Sequence, residues 1–394
     1  MAGELDFFIS RYFQKGYCYK EILGVLRARH NTSISVRQLH RHLRRLGLYR
    51  NGYHSETSDV IAFVQSELLG SGSSIGYRAM HQRCVNKGLR MPRESVAIIQ
   101  KELDPEGVEL RKRHCLRRRL YYAKGPNWVW HMDGYDKLKP YGLCIHGAID
   151  GYSRRILWLR LCRSNKDPKV VCSVFMKALQ KIKGAPRKVV GDRGTENVYV
   201  AAAQRFFRRS HTDASAGFYS FRYGKSVSNQ RIEAWWAMLR RSCTGWWINF
   251  FRDLIEQGMI DITDPIHVEC VRFCFAAILQ KELNQMKTTW NNHRIRRSVN
   301  SNQQHRPPGR PNILYFAPST LEPSIQDHKK GIDNTDKEVV QELCCNCESK
   351  EYICTDEFFT LASVILSEQN LNMPNTPIEA LRLYTTLISH INRI

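Results

Sequence analysis

The nine residues from Trp128 to Asp136, W-V-W-H-M-D-G-Y-D, constrain the fold of this chain more than any other stretch. Trp128, Trp130 and Met132 put apolar side chains at every second position, the period of a strand that buries one face. The run stops at a carboxylate, Asp133, and Gly134 follows it. An acid held by a rigid element, beside a residue that allows close backbone approach, suits a metal site. Two later acids, Asp192 and Glu233, stand in comparable settings.

The order of elements after this stretch predicts an α/β segment. Leu143–Ile149 and Arg155–Leu161 flank the turn Asp150-Gly151-Tyr152-Ser153 and read as an antiparallel hairpin. Lys166-Asp167-Pro168 opens a helix with apolar positions at Val171, Val174, Phe175 and Leu179. Lys188–Val190 is a short buried strand leading to Gly191-Asp192. Val198–Phe207 is helical, Phe218–Tyr223 strand-like, and a helix starts near Asn229. Three strands, helix, strand, helix, strand, helix is α/β order with a mixed sheet.

Asp133 lies 59 positions before Asp192, and Asp192 lies 41 before Glu233. Two acids leave strand ends and the third sits in the first turns of a helix. Carboxylates gathered in this way repel one another unless cations sit between them. Oxygen-only ligands with open positions suit Mg²⁺ or Mn²⁺, and two such ions serve in-line displacement at phosphorus. No Gly-x-Ser-x-Gly elbow, phosphate-binding P-loop or dinucleotide Gly fingerprint offers a rival chemistry. Asp136, Asp150 and Glu196 are also acids near strand ends, and most such acids are caps and turns.

The triad and its local words resemble the integrase core shared by retroviral integrases and D-D-E transposases. Trp130–Asp133 matches a W-x-x-D strand end. Gly191-Asp192-Arg193-Gly194-Thr195-Glu196 matches an x-D-x-G-x-E word, and Asn229-x-x-Ile232-Glu233 matches the start of the final helix. The resemblance covers residues 126–300. It implies an RNase H-like fold, two-metal catalysis with Asp133, Asp192 and Glu233 as ligands, and Asn229 positioning the last helix or touching DNA. It also implies Lys225 and Arg231 against phosphate. The Asp192–Glu233 gap is longer than in retroviral relatives, which points to an insertion between them. Retroviral integrases open with a zinc domain, but His30, His40 and His42 have no Cys-x-x-Cys partner before the core. No zinc is expected there.

Composition supports a polyanionic partner. The 394 residues carry a formal net charge of +23, and 42% of them are hydrophobic. Residues 1–125 hold a net +12, whereas residues 319–394 hold a net −6. Such a basic balance implies nucleic acid. Residues 4–50 read as three short helices forming a helix-turn-helix unit over 1–52. Ser35 is a candidate N-cap for the third, whose Val36, Leu39, Leu43 and Leu46 fall at helical spacing. Its other face offers Arg37, Gln38, His40, Arg41, Arg44 and Arg45, the donors a major-groove helix uses. A second helix-turn-helix-like unit spans 56–110, with Pro105 and Gly107 closing it. Within it, Gly76, Tyr77, Arg78, Gly88, Arg93 and Val96 match the segment before the catalytic domain of insertion-sequence transposases. That match places Arg78 among the DNA-binding candidates. A basic linker follows over 111–125, with the core over 126–300.

Beyond the core, the aromatic stripe Trp235, Trp236, Trp246, Trp247, Phe250 and Phe251 reads mostly as buried packing. His267–Leu283 is a buried helix whose Cys270 and Cys274 are free thiols. Residues 290–298 resemble the segment that follows the core in transposases. Residues 301–394 form an extended link and an acidic, mainly helical region, with a helical module over Asp356–Ile391. Gly309-Arg310-Pro311 has the form of a minor-groove hook, and Cys344, Cys345, Cys347 and Cys354 cluster in sequence. Thirteen Cys and no signal peptide fit a reducing intracellular setting, nuclear in a eukaryote. No stretch has the length to span a membrane. Three readings follow. The first is a D-D-E recombinase that cuts and joins DNA as a homo-oligomer. The second is a host-recruited DNA-binding protein with no required catalysis. The third is a nuclease without joining activity.

Overall fold

The computed structural model describes residues 2–49, 54–112, 122–224, 229–296, 307–345 and 352–393. The chain divides into two compact units. One comprises Met1–Val129, Asp150–Arg155 and Thr288–Lys329; the other comprises Trp130–Ile149, Ile156–Lys287 and Lys330–Ile394.

The first unit opens with α1 (Ala2–Gln14), α2 (Tyr19–His30) and α3 (Val36–Arg45). Leu39 and Leu43, four apart, share one face of α3 and are buried with Ile9 and Phe13 of α1 and Ile22 and Leu26 of α2. Each fully buried side chain of this kind stabilises by roughly 1.5–3 kcal/mol, so Leu39→Asp would undo the trio. Ser35 caps α3 as expected, and Gln38 completes a capping box. Ser35 Oγ accepts from the Gln38 backbone N at 3.2 Å, and Gln38 Oε1 accepts from the Ser35 N at 2.8 Å. The core of these helices is completed by Ile313 and Ala317, nearly 300 residues downstream.

Next come α4 (Thr57–Leu68), α5 (Tyr77–Lys87), α6 (Arg93–Leu103) and α7 (Pro105–Lys112). Gly88, at φ +92°, ends α5 in the left-handed conformation that glycine favours. Val60, Val64, Met80, Cys84 and Val96 form the core. Pro105 was expected to close this region, yet it opens α7. Proline is tolerated at the first helical position, and Asp104 Oδ1 accepts from the Gly107 N at 3.0 Å to cap the turn. Most of the basic linker, residues 113–121, lies outside the described residues.

The second unit is built on a sheet: β1 (Trp130–Tyr135), β2 (Cys144–Asp150), β3 (Ile156–Cys162), then α8 (Pro168–Ile182), β4 (Val189–Gly191), α9 (Val198–Phe207), β5 (Phe221–Tyr223) and α10 (Gln230–Leu239). The strand order is β3-β2-β1-β4-β5. β2 and β3 are antiparallel, with Cys144 opposite Cys162. β1 runs parallel to β4, with Trp130 opposite Val189, and β4 parallel to β5, with Val190 opposite Arg222. Trp130, His131 and Met132 in the central strand are all buried, as expected where both sheet faces are covered. Asp167 caps α8 and Pro168 takes its first position. This mixed sheet, preceded by all-helical segments and followed by mainly helical ones, is the RNase H-like architecture the resemblance implied.

After a π-helical turn at Arg240–Thr244 come α11 (Gly245–Glu256), α12 (Pro265–Asn292), α13 (Pro311–Phe316), α14 (Asn334–Cys344), α15 (Asp356–Glu368) and α16 (Pro377–Ile391). Trp235, Trp247 and Phe251 are buried, and so are Cys270 and Cys274 of α12. Among the described residues no group of three or more His, Cys, Asp or Glu could hold a metal ion. Cys347 lies outside them, and Cys345 interacts with Cys172 of α8 while Cys354 lies near Cys270 and Cys274. No described helix is long and apolar enough to cross a membrane.

The Gly-Arg-Pro word is not a hook. The Arg310 guanidinium donates to Glu21 Oε2 at 3.1 Å, to the Gly16 carbonyl at 2.7 Å, and to the Asn292 carbonyl. It also stacks on the Tyr17 ring. A planar, five-donor head surrounded by fixed acceptors acts as a tie within the first unit.

Candidate active site

Asp133 is on β1, but the strand continues through Gly134 to Tyr135. The acid therefore lies inside the strand rather than at its end. A Cβ at Gly134 would come within 2.8 Å of Asn165 Nδ2 and would oblige that side chain to shift. Asn165 in turn donates to Asp136 Oδ1 at 2.8 Å and to the Ile145 carbonyl at 3.0 Å. Asp136 is thus an exposed turn acid tied to Asn165.

The brace on Asp133 is Trp236, whose Nε1 donates to Asp133 Oδ2 at 2.9 Å. Trp236 follows Glu233 by three residues, so α10 presents both on one face. Gly147 on β2 leaves room for the indole: a Cβ there would stand 2.7 Å from Trp236 Cη2. The aromatic stripe concealed this role, since its other members pack as core. The only sequence signal for it was the spacing from Glu233.

Asn229 stands at the N-terminus of α10 and is buried. Its Nδ2 donates to the Met132 carbonyl at 2.8 Å, so its Oδ1 accepts from His131 Nδ1, also at 2.8 Å. His131 is wholly buried, and burial holds its pKa down to about 4; the nearby Arg231 charge pushes the same way, against the Asn229 bond. A neutral imidazole with its proton on Nδ1 results. Asn229 thereby ties the start of the helix carrying Glu233 to the strand carrying Asp133.

Asp192 follows β4. Asn197 Nδ2 donates to Asp192 Oδ1 at 2.6 Å and to Glu196 Oε1 at 3.0 Å. Glu196 is therefore a fourth acid beside the second. Burial raises its pKa first, and the Asp192 and Asp136 charges add to this. From the sequence it read as one of several ordinary strand-end acids, and its spacing of four from Asp192 across a glycine turn was the available clue.

Electrostatics link the elements. Burial pushes Asp133 up to about 7, with Glu233 and Asp192 adding repulsion against the Trp236 hydrogen bond. Glu233 is raised by burial and then by Asp192. Among the described residues no basic side chain figures among the main influences on either group. The structure thus brings Asp133, Asp192 and Glu233 into one another's field, without the tight cluster a bound ion would require. Their chemistry fits a hard divalent cation: the donors are all oxygen, and the repulsion calls for a countercharge.

The other candidates fall elsewhere. Arg37, Gln38, Arg41, Arg44 and Arg45 of α3 are exposed. Two of them have partners that the sequence did not reveal. Arg45 pairs with Asp6, which also binds His42 Nδ1 at 2.6 Å, and the Gln38 carbonyl is used in the capping box. Arg78 is exposed and lies over the Tyr77 ring. Arg231 is half-buried near His131. Lys225 lies outside the described residues.

A mixed sheet that carries acids on β1, just after β4 and on α10, the helix after β5, is consistent with an RNase H-like core. Residues 120–307 match the family model described as integrase core domain. The match is in keeping with the superfamily of retroviral integrases and D-D-E transposases. No curated protein matches the chain.

Proposed function

We propose that this integrase-like protein cuts DNA phosphodiester bonds and joins the ends to new DNA, with Asp133, Asp192 and Glu233 as the metal-holding acids. The observation that carries this reading is the mutual repulsion of carboxylates from three elements. Mg²⁺ or Mn²⁺ held there would supply an activated hydroxyl and countercharge for the leaving oxygen. The chain's own residues do the positioning. Trp236 fixes the face of Asp133, Asn197 orients Asp192, and Asn229 sets the angle at which Glu233 approaches. The exposed basic face of α3 and Arg78 hold the DNA, through phosphate and base contacts. Joining two DNA ends calls for more than one copy of the chain.

The test is a strand-transfer assay on DNA taken from the flanks of the gene, with Mg²⁺ or Mn²⁺. Joined product from the unsubstituted chain and none from Asp192→Asn is expected. Equal activity of the two removes the proposed site. Tight DNA binding with no cleavage favours the recruited DNA-binding protein, and cleavage without joining favours a nuclease.

A further inference from the structure

The longer gap between the second and third acids is filled by a defined piece of structure. Between α9 and β5, residues 208–220 form a turn clamped from within. Arg208, fully buried, donates to Asp213, and Arg187 Nε donates to the same carboxylate at 2.9 Å. The Gly217 N donates to the Arg208 carbonyl at 2.9 Å. Ser220 Oγ, buried, donates to the Gln204 carbonyl at 3.2 Å and the Gly217 carbonyl at 2.6 Å. Between these anchors the chain presents two large rings to solvent. Phe218 is 68% exposed and Tyr219 is 71% exposed. Their centroids are 6.0 Å apart, edge to face. A pair of aromatic rings held outward by a clamped turn is a surface made to be covered.

The surroundings specify the cover. The Arg205 guanidinium of α9 lies 4.0 Å from the Phe218 centroid. Arg222 is exposed on β5, and Lys188 precedes β4. The Lys188 ammonium lies below its usual range, from burial first and then from the charges of Arg222 and Arg187. Among the described residues, Asp213 is engaged by Arg208 and Arg187, and Asp336 by Arg209 at 2.7 Å. Aromatic faces among unneutralised cations match bases that stack and a backbone that carries phosphate. A duplex hides its base faces, so the partner is unpaired.

We propose that Phe218 and Tyr219, with Arg205 and Arg222, form a stacking platform for an unpaired stretch of DNA. This rests on the reading of DNA as the partner of the core. β4 and β5 are parallel, so the platform stands at the opposite end of β5 from the acids, about 10 Å away for a three-residue strand. It is a holding site for a displaced or frayed strand, separate from the chemistry.

The test uses the full chain carrying Asp192→Asn, which prevents cleavage, and fluorescence anisotropy on two labelled DNAs: a duplex, and the same duplex with an unpaired tail. The double substitution Phe218→Leu and Tyr219→Leu keeps apolar bulk and removes the π faces. The expected result is a loss of about tenfold or more in affinity for the tailed DNA, with duplex binding unchanged. Arg222→Ala is expected to reduce the salt dependence of tail binding by about 0.7 in log–log slope. Equal tail affinity in the Leu variant overturns the platform, as does a change in its oligomeric state in place of DNA affinity, which would mark an interface between copies. Failure of the unsubstituted chain to bind even the duplex overturns the DNA reading itself, and the platform with it.

Discussion

Two groups of acids in the sheet-bearing unit meet opposite company. Asp213 is surrounded by guanidinium groups. Burial alone would raise its pKa, but the hydrogen bonds from Arg208 and Arg187 outweigh it and hold the carboxyl well below the usual range. Asp133 is raised by burial first, with repulsion from Glu233 and Asp192 added, to about 7. One carboxylate is complete and locks a turn. The other carries its charge against burial and the repulsion of its neighbours. The sign of the shift follows the company each acid keeps: cationic partners lower Asp213, whereas burial raises Asp133, as it also raises the turn acid Asp150.

The sharpest way to break that contrast is to neutralise one acid from each group. Asp192→Asn should lower strand transfer by on the order of a thousandfold. It should leave the melting temperature level or raise it, because it relieves repulsion. Asp213→Asn should do the reverse, costing about 3 kcal/mol by leaving Arg208 buried beside a neutral partner. Calorimetry would detect this, and the same variant should lose an acid-dependent component of stability. In the parent chain that component is complete above the unfolded pKa of about 3.9 and is lost as pH falls through the depressed folded value. A melting temperature that Asp213→Asn does not move would end the structural half of the comparison.

Cation binding tests the other half. At a hundred times its dissociation constant, Mn²⁺ should stabilise the unsubstituted chain by about 2.7 kcal/mol, and Asp192→Asn by far less. Without metal, Asp133 is mostly protonated below pH 7. Metal uptake at pH 6 should therefore release protons, and at pH 8.5 few, which calorimetry in buffers of different ionisation enthalpy would resolve. The smallest effect is expected from Trp236→Phe. It removes the hydrogen bond to Asp133 while keeping an aromatic ring, and should weaken metal affinity about tenfold. An unchanged affinity would mean that the indole serves packing alone.

Much of this arrangement was legible in the sequence because it depends on local period. Val198–Phe207 is helical over the span its pattern predicts, and the strand–helix order of the core follows the apolar runs. What escaped was set by partners distant in the chain. Arg310 looked like a free cation because Glu21 and Asn292 are invisible from position 310. The placement of Trp236 against Asp133 depends on Gly147, 89 positions earlier. Pro105 reads as a stop from the sequence, yet its neighbour Asp104 caps the turn and α7 starts there. The strand end at Asp133 was misplaced because Gly134 and Tyr135 carry no apolar alternation, yet they stay in β1.

The completion of the α1–α3 core by Ile313 and Ala317 has a temporal consequence. A ribosome making roughly 5–20 residues per second would deliver Ile313 about 15 s to a minute after Leu43. Throughout that interval the three earliest helices must persist with part of their apolar surface open, and they close only when a segment made after the whole integrase core has emerged. The basic helix α3 thus acquires its finished setting only on a molecule whose acids have already been synthesised.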